Sequence, residues 1–290
     1  MKGILLAGGH GTRLHPITLA VSKQLLPVND KPLIYYPLSV LMLAGIREIQ
    51  VICTPVDVPQ LRRLLGDGSQ LGIRLDYVEQ PEPRGIAEAF ILGADRIGSD
   101  PVALVLGDNI FHGHNFYDIL QRHARDIDGC VLFGFPVEDP SRYGVGRTDA
   151  EGKLVSIEEK PSNPRSNRAI VGLYFYDNDV IDIAKNLRPS ARGELEITDV
   201  NRVYLERGKA RLYDLGRGFA WLDAGTPESL LQAAQYVQVL EQRQGVRIAC
   251  LEEVALRMGY IDAEACHRLG TRLPSSDYGA YVRSIAKELA

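Results

Sequence analysis

Short apolar runs separated by stretches of helical spacing constrain this chain more than any other feature. Residues 3–7, 49–54, 75–78 and 102–106 are largely apolar runs, interrupted only at Gln50, Thr54 and Asp76, the pattern of strands covered on both faces. Between them, residues 33–44, 58–65 and 85–97 carry apolar side chains at helical intervals. Strand–helix alternation of this kind predicts a mostly parallel sheet, flanked by helices and joined by right-handed crossovers.

After Asp108 the pattern changes. Residues 130–135, 154–159 and 171–176 read as strands with few helices between them. Tyr143-Gly144-Val145-Gly146 and Lys160-Pro161-Ser162-Asn163-Pro164 read as the turns that separate them. An antiparallel or mixed extension of the sheet is therefore expected. A helix is predicted over 197–207, with Thr198 or Glu196 near its start, followed by a strand over 210–215. Ala220-Trp221-Leu222 then leads into Asp223. From Thr226 onward the chain reads as helical. Pro227 suits the first turn of a helix to about Gln242, and amphipathic segments follow at 251–258, 263–269 and 278–289. That tail is too small to hold a core of its own, so it is expected to dock on the sheet domain or on another subunit.

Composition narrows the class of function. A chain of 290 residues that is 45% hydrophobic and 24% charged is ordinary for a globular enzyme and excludes a mainly disordered polypeptide. A net charge of −4 argues against a general nucleic-acid binder. No apolar run approaches the roughly 20 residues that span a bilayer. The opening run Met1–Ala7 is too short for a signal-peptide core, so the cytoplasm is the expected compartment. Cys53, Cys130, Cys250 and Cys266 form no C-x-x-C pair, so neither a zinc site nor a disulfide framework is indicated. His112-x-His114 has no third ligand motif nearby, which leaves it without the donors of a metal site.

The chemistry begins directly after the first predicted strand, at Leu6-Ala7-Gly8-Gly9-His10-Gly11-Thr12-Arg13-Leu14. Three glycines in four positions let backbone N–H groups approach a phosphate with no Cβ in the way. Arg13 adds a forked, permanent positive charge. The dinucleotide pattern G-x-G-x-x-G fails, because Leu14 stands at its last position. The Walker pattern fails for want of a Lys-Ser/Thr pair after the glycines. Lys23, ten residues further on, supplies a second cation, as a triphosphate with about four negative charges requires. Asp108 and Asp223 each follow an apolar run. A carboxylate at the carboxyl end of a buried strand sits where open α/β sheets place ligands, and two such groups meeting phosphate oxygens suit Mg²⁺.

Taken in order, Leu6–Leu14, Ser22-Lys23-Gln24-Leu25-Leu26-Pro27-Val28, Leu106-Gly107-Asp108-Asn109, Glu158-Glu159-Lys160-Pro161, Gly193–Asn201 and Trp221-Leu222-Asp223 resemble the sugar-1-phosphate nucleotidylyltransferases, and within them the short glucose-1-phosphate thymidylyltransferases. The resemblance covers essentially the whole chain. It implies a Rossmann-like α/β catalytic domain over 1–242, with a nucleotide half over about 1–110 and a sugar half over about 111–225. A C-terminal helical segment over 243–290 would serve oligomer contacts. The implied reaction joins dTTP to glucose 1-phosphate, giving dTDP-glucose and pyrophosphate. UTP or another hexose 1-phosphate is the alternative within that chemistry, and a non-catalytic nucleotide sensor is the alternative outside it. That sensor reading would expect Arg13, Lys23 or an aspartate to be missing, and all are present.

The resemblance also implies roles residue by residue. Arg13, Lys23, Lys160, Asp108 and Asp223 would be catalytic, the two aspartates holding Mg²⁺. Leu6, Gly8, Gly9, Gly11, Thr12, Gln80, Gly85 and Asp108 would surround the nucleotide. Gln80 suits the base because its amide both donates and accepts at a thymine imide edge. Tyr143, Gly144, Glu159, Lys160 and Val171 would surround the sugar phosphate. Gly113, Arg217, Arg247, Glu253 and Arg257 would form a regulatory site for a dTDP-sugar at a subunit contact, and the assembly would be a homotetramer. The chain departs from the family pattern at Arg84, Val171, Ala224 and Gly146-Arg147-Thr148. Hydroxyls absent from Val171 and Ala224 are expected to bear on sugar preference.

Overall fold

The computed structural model describes residues 1–9 and 11–290. The chain opens with β1 (Lys2–Leu6), a two-residue-stranded hairpin of β2 (Pro27–Val28) and β3 (Lys31–Pro32), then α1 (Tyr35–Leu43) and β4 (Glu48–Cys53). It continues through α2 (Val58–Leu65), β5 (Arg74–Glu79), α3 (Glu88–Leu92), α4 (Ala94–Ile97) and β6 (Val102–Leu106). As the apolar runs predict, β6, β1, β4 and β5 lie side by side and parallel, with Leu5 opposite both Val51 and Val105. The centre of β1 is buried on both faces. Helix α1 is apolar all round and almost wholly buried, as a helix enclosed between layers must be.

Expected and observed elements differ at one crossover. The single helix expected over 85–97 is two short helices, α3 and α4, divided at Gly93. A Cβ on Gly93 would lie 2.5 Å from the Gln50 Oε1, so the break coincides with a close approach to β4.

The second half adds β7 (Asn109–Gly113), α5 (Phe116–Ala124), β8 (Cys130–Pro136), β9 (Gly144–Thr148), β10 (Leu154–Glu159) and β11 (Arg168–Tyr176). Then come α6 (Asp179–Asn186), α7 (Ile197–Glu206), β12 (Ala210–Asp214) and β13 (Phe219–Asp223). The expected mixed extension forms: β11 runs antiparallel to β6, β8 and β9, and β12 is parallel to β8. The segment Tyr143–Gly146, expected as a turn, is mostly strand. Its Gly144–Thr148 stretch pairs with β10 and touches β11 at Ala169. Gly146 leaves room there for Leu212, whose Cδ2 would lie 2.8 Å from a Cβ. Strand β11 therefore changes neighbours along one edge. Residues 173–176 pair with β6, and Ala169 meets β9. The sheet forks between these two partners, and the fork holds the site described below.

Sequence alternation decides what β11 offers to each side. Val171, Leu173 and Phe175 enter the core cluster under α1, whereas Ile170, Tyr174 and Tyr176 enter the cluster against α6 and α7. The final helices are α8 (Pro227–Gln244), α9 (Leu251–Arg257), α10 (Ala263–Thr271) and α11 (Asp277–Glu288). Thr226 and Ser229 cap α8 reciprocally with Pro227 in the first turn. The tail docks on its own chain. Leu251 and Ala255 join the main core, and the Tyr260 hydroxyl donates to the Met42 carbonyl at 2.9 Å. A buried ionic cluster fastens α8 to the β2–β3 hairpin: Lys31 Nζ lies 2.9 Å from Glu241, which also takes Asn29 at 2.7 Å and Arg247 at 3.1 Å. No helix is long and apolar enough to cross a membrane among the described residues.

Candidate active site

The fork between β6 and β9 opens into a cavity of about 270 Å³. Arg13, Asp108, Arg142, Lys160 and Asp223 bring charge to its walls, and Tyr143, Glu159, Thr198, Asn201 and Trp221 add polar groups. Its two aspartates come from one short ribbon. Strand β13 pairs antiparallel with β7, Asp223 opposite Asn109, and the Ala224 N–H donates to the Asp108 carbonyl at 3.0 Å. Residues far apart in sequence thereby face one another across adjacent strands.

Lys23 reaches this pair from a short 3₁₀ turn, Lys23–Leu25. Its buried ammonium lies 2.5 Å from Asp108 Oδ2. Asn109 Nδ2 donates to the other oxygen at 2.7 Å, and its own Oδ1 accepts from Trp221 Nε1 at 2.6 Å and Gly172 N at 3.2 Å. Burial alone would push the Asp108 carboxyl up, but the Lys23 charge and these hydrogen bonds outweigh it, and its pKa is lowered. Asp223 is raised, by burial first and the Asp108 charge second, with Lys23 and Arg13 opposing. The two carboxylates thus repel in a half-buried site, the condition a divalent cation relieves. Among the described residues, no three or more acidic, histidine or cysteine side chains are disposed to hold a metal ion by themselves. Two carboxylates are enough for Mg²⁺, which commonly takes one or two and completes its shell with phosphate oxygens and water, so the donor set fits that ion.

The glycines act as spacers. A Cβ on Gly8 would lie 2.7 Å from Gln80 Oε1, so the loop backbone touches the Gln80 amide directly; the other end of that amide donates to Glu88 at 2.8 Å. Gly9 and Gly11 have φ of 101° and 59°, and Thr18 Oγ1 closes the loop onto the Gly11 carbonyl at 2.8 Å. Thr12 is exposed, and the Leu6 carbonyl is occupied by the Gly107 N–H at 2.8 Å. Gly85 has φ of 103°, and a Cβ there would meet the Leu195 carbonyl oxygen at 2.4 Å and its nitrogen at 2.6 Å. The segment that precedes α7 is therefore laid on the loop that follows Gln80.

On the sugar side, Glu159 accepts from Thr198 Oγ1 at 2.5 Å above Gly144, where a Cβ would crowd both atoms at 3.3 Å. Lys160 stands beside Glu159 at 3.6 Å with φ of 42°, held there by its N–H on the Tyr143 carbonyl at 2.9 Å. A non-glycine residue in the left-handed region is sparsely populated and marks a position fixed by its surroundings. Tyr143 packs edge-on against Trp221 with ring centroids 5.0 Å apart.

Two expected residues are placed elsewhere. Val171 is fully buried with its side chain in the core under α1, and Ile170 and Gly172 line the cavity instead. Its placement follows from strand alternation, since one step along β11 reverses the face. Ala224 is buried against Val28, Tyr36 and Val237, so the hydroxyl that the family carries there bears on packing. Gly113 and Arg247 do share a cavity, of about 400 Å³, between β7 and the chain after α8. Arg217, Glu253 and Arg257 lie outside its walls; Glu253 and Arg257 pair with each other at 2.7 Å. Arg142, Asn109, Thr198, Asn201 and Trp221 also line the cavity, with no role expected for them from the sequence. All but Arg142 lie inside the motifs named above, and Arg142 directly precedes Tyr143-Gly144.

The family model described as nucleotidyl transferase matches residues 2–239. A Xanthomonas campestris glucose-1-phosphate thymidylyltransferase is 55% identical over 99% of this chain and 97% of its own length. The chain belongs to the glucose-1-phosphate thymidylyltransferase family of nucleotidyl transferases. Its Mycobacterium tuberculosis relative of the same name is 56% identical over 97% of this chain and 98% of its own. Among solved structures, a Bacillus anthracis member of this family in complex with sucrose superposes with a TM-score of 0.76 at 39% identity, covering 81% of this chain and 94% of that one. A UDP-glucose pyrophosphorylase bound to UDP-glucose superposes at 0.72 with 26% identity, over 82% of this chain and 98% of that one. The enzyme is thus an α/β nucleotidyltransferase whose parallel half carries the glycine loop and whose forked half carries Glu159 and Lys160.

Proposed function

We propose that this enzyme transfers a thymidylyl group from dTTP to α-D-glucose 1-phosphate, giving dTDP-glucose and pyrophosphate. One observation carries the reading: Asp108 and Asp223 share the walls of a single cavity with Arg13, Glu159 and Lys160. A phosphate oxygen of the sugar ester attacks the α-phosphorus, the new P–O bond forms in line, and the bond to pyrophosphate breaks on the far side. A phosphate monoester is largely dianionic near neutral pH, so no general base is required and the protein's contribution is alignment and charge.

Arg13 faces the departing pyrophosphate, with Gly225 leaving room beside it; a Cβ there would sit 3.3 Å from Arg13 Nη2 and 2.9 Å from Asp223 Oδ1. Lys160 holds the attacking phosphate, and its strained backbone keeps the ammonium at the mouth of the sugar half. Glu159 accepts from ring hydroxyls while Thr198 fixes its carboxylate. Lys23 holds Asp108 ionised and in place. The backbone of Leu6, Gly8, Gly9, Gly11 and Thr12 cradles the phosphates, and Gln80 and Gly85 frame the base. Asp108 and Asp223 would hold Mg²⁺, which when bound offsets charge on the phosphate oxygens. A homotetramer and a dTDP-sugar effector belong to the same reading, and the shared cavity of Gly113 and Arg247 supports a place for the latter.

The test is a panel of nucleoside triphosphates, UTP included, against several hexose 1-phosphates, read as pyrophosphate release. The dTTP and glucose 1-phosphate pair should lead it. Arg13→Ala and Asp223→Ala should each lose two or more orders of magnitude in turnover with an unchanged circular dichroism spectrum. Absence of release from that pair, or near-normal turnover in either variant, overturns the reading.

A further inference from the structure

Three buried side-chain atoms have no hydrogen-bond partner among the described residues: Gln50 Oε1, His123 Nε2 and Asn201 Nδ2. Only Asn201 belongs to the wall of the active-site cavity. It is 1% exposed, in the second turn of α7 and one turn beyond Thr198. One end of its amide is engaged, since Oδ1 accepts from the Tyr176 hydroxyl at 2.6 Å. Among the other wall residues, Ile86, Leu106, Ile170 and Ile197 carry no polar side chain, and Tyr174, stacked on Tyr176, brings a hydroxyl. A buried amide donor left unpaired is costly and calls for a partner, which in the wall of a binding cavity is a bound ligand or its water.

We infer that Asn201 is a sugar-selecting residue: its Nδ2 donates to a hexose hydroxyl remote from C1, at C4 or C6. This rests on the function proposed above and names what reads the far side of the ring. Lys160 for the sugar's phosphate, Arg13 for the departing pyrophosphate and the hydroxyl acceptor Glu159 already have roles. Asn201 supplies a buried, unpaired amide donor in the cavity wall, and a site built to pair a hydroxyl rejects the analogue lacking it far more strongly than an apolar wall does. Tyr176 fixes the amide's orientation, and its ring lies against Tyr174 and Tyr204.

The experiment is a cycle of enzyme against substrate. Wild type and Asn201→Leu are assayed with glucose 1-phosphate and its 4-deoxy and 6-deoxy analogues, with dTTP held constant. Binding of the same sugar phosphates is measured by calorimetry, so the contact is read apart from turnover. Wild type should lose 10- to 100-fold in kcat/KM and in affinity for one analogue. Asn201→Leu should lose as much on glucose 1-phosphate, yet fall within threefold of wild type on that analogue, with the KM for dTTP unchanged. Tyr176→Phe, which leaves the amide in place, should show a smaller loss but keep the wild type's ranking of the analogues. A uniform loss across all three sugars makes Asn201 a packing residue and overturns the inference. So does a wild type that binds both analogues as tightly as glucose 1-phosphate, a result needing no variant. Binding with the expected coupling but no pyrophosphate release would sink the proposed reaction and leave the Asn201 contact standing.

Discussion

Replacing Gly85 by alanine tests how the two halves of the site are held together. The new Cβ would stand 2.4 Å from the Leu195 carbonyl oxygen, and both close neighbours are backbone atoms that cannot rotate away. Ordinary contact begins about 1 Å further out, so Leu195 must move by roughly that distance. The residue must also hold φ of 103°, a conformation costing a side chain about 1–3 kcal/mol. An unfolding entropy of about 2.1 cal/mol/K per residue gives about 0.6 kcal/mol/K for this chain, so a 2 kcal/mol loss lowers Tm by about 3 °C. Activity should suffer more. Leu195 leads into α7, whose Thr198 holds Glu159, and a displacement of about 1 Å near the reacting groups can cost about 100-fold in kcat/KM. The control is Gly193→Ala in the same segment. Gly193 has φ of 77° but nothing within 4 Å of its would-be Cβ, so it should show the thermal loss and keep near-normal kinetics. Scanning calorimetry and pyrophosphate release measure both. If the two variants behave alike, the Gly85–Leu195 contact is not what positions the sugar half.

Lys23→Met leaves Asp108 without its counter-charge. We expect a loss of about 2–3 kcal/mol in urea unfolding, below the roughly 3–5 of a fully buried pair because Asp108 is partly exposed. The Lys23→Met/Asp108→Asn double variant should regain stability without regaining activity. Val171→Thr, which restores a residue common in the family, buries a hydroxyl in the core and should cost about 1–3 kcal/mol while leaving the KM for glucose 1-phosphate unchanged. The pKa values of His112 and His123 are lowered by burial, the latter also by Arg211 and Arg122. The unfolded chain therefore binds these protons first as pH falls. Their contribution is fully present above about pH 6.5 and is lost below it. Urea midpoints at pH 7.5 and 5.5 should show the fall, and His123→Phe should reduce it.

The parallel half of the fold was legible because its strands are buried on both faces and carry no competing pattern. The forked half was not. Tyr143-Gly144-Val145-Gly146 has the composition of a turn, yet Gly144 and Gly146 are small because Glu159, Thr198 and Leu212 press on that strand. Asn109–Gly113 passed unnoticed as a strand because its partner lies more than a hundred residues later. Motifs located Arg13, Asp108, Lys160 and Asp223 near a glycine loop, an apolar run or an acidic neighbour, and Lys23 by the second cation a triphosphate needs close to that loop. They could not tell Val171 from Gly172. Which of two adjacent strand residues faces a ligand is settled by register, and register is set by long-range pairing. Asn201 looked like one more polar residue on an amphipathic helix, because an orphaned amide is visible only once its surroundings are assembled.

The β7–β13 ribbon has a consequence for how the molecule comes to life. Its two strands lie more than a hundred residues apart in the chain, so the second carboxylate joins the Lys23–Asp108 pair only once the later strand has folded back on the earlier one. A nascent or truncated polypeptide that stops short of Trp221 lacks the second carboxylate altogether.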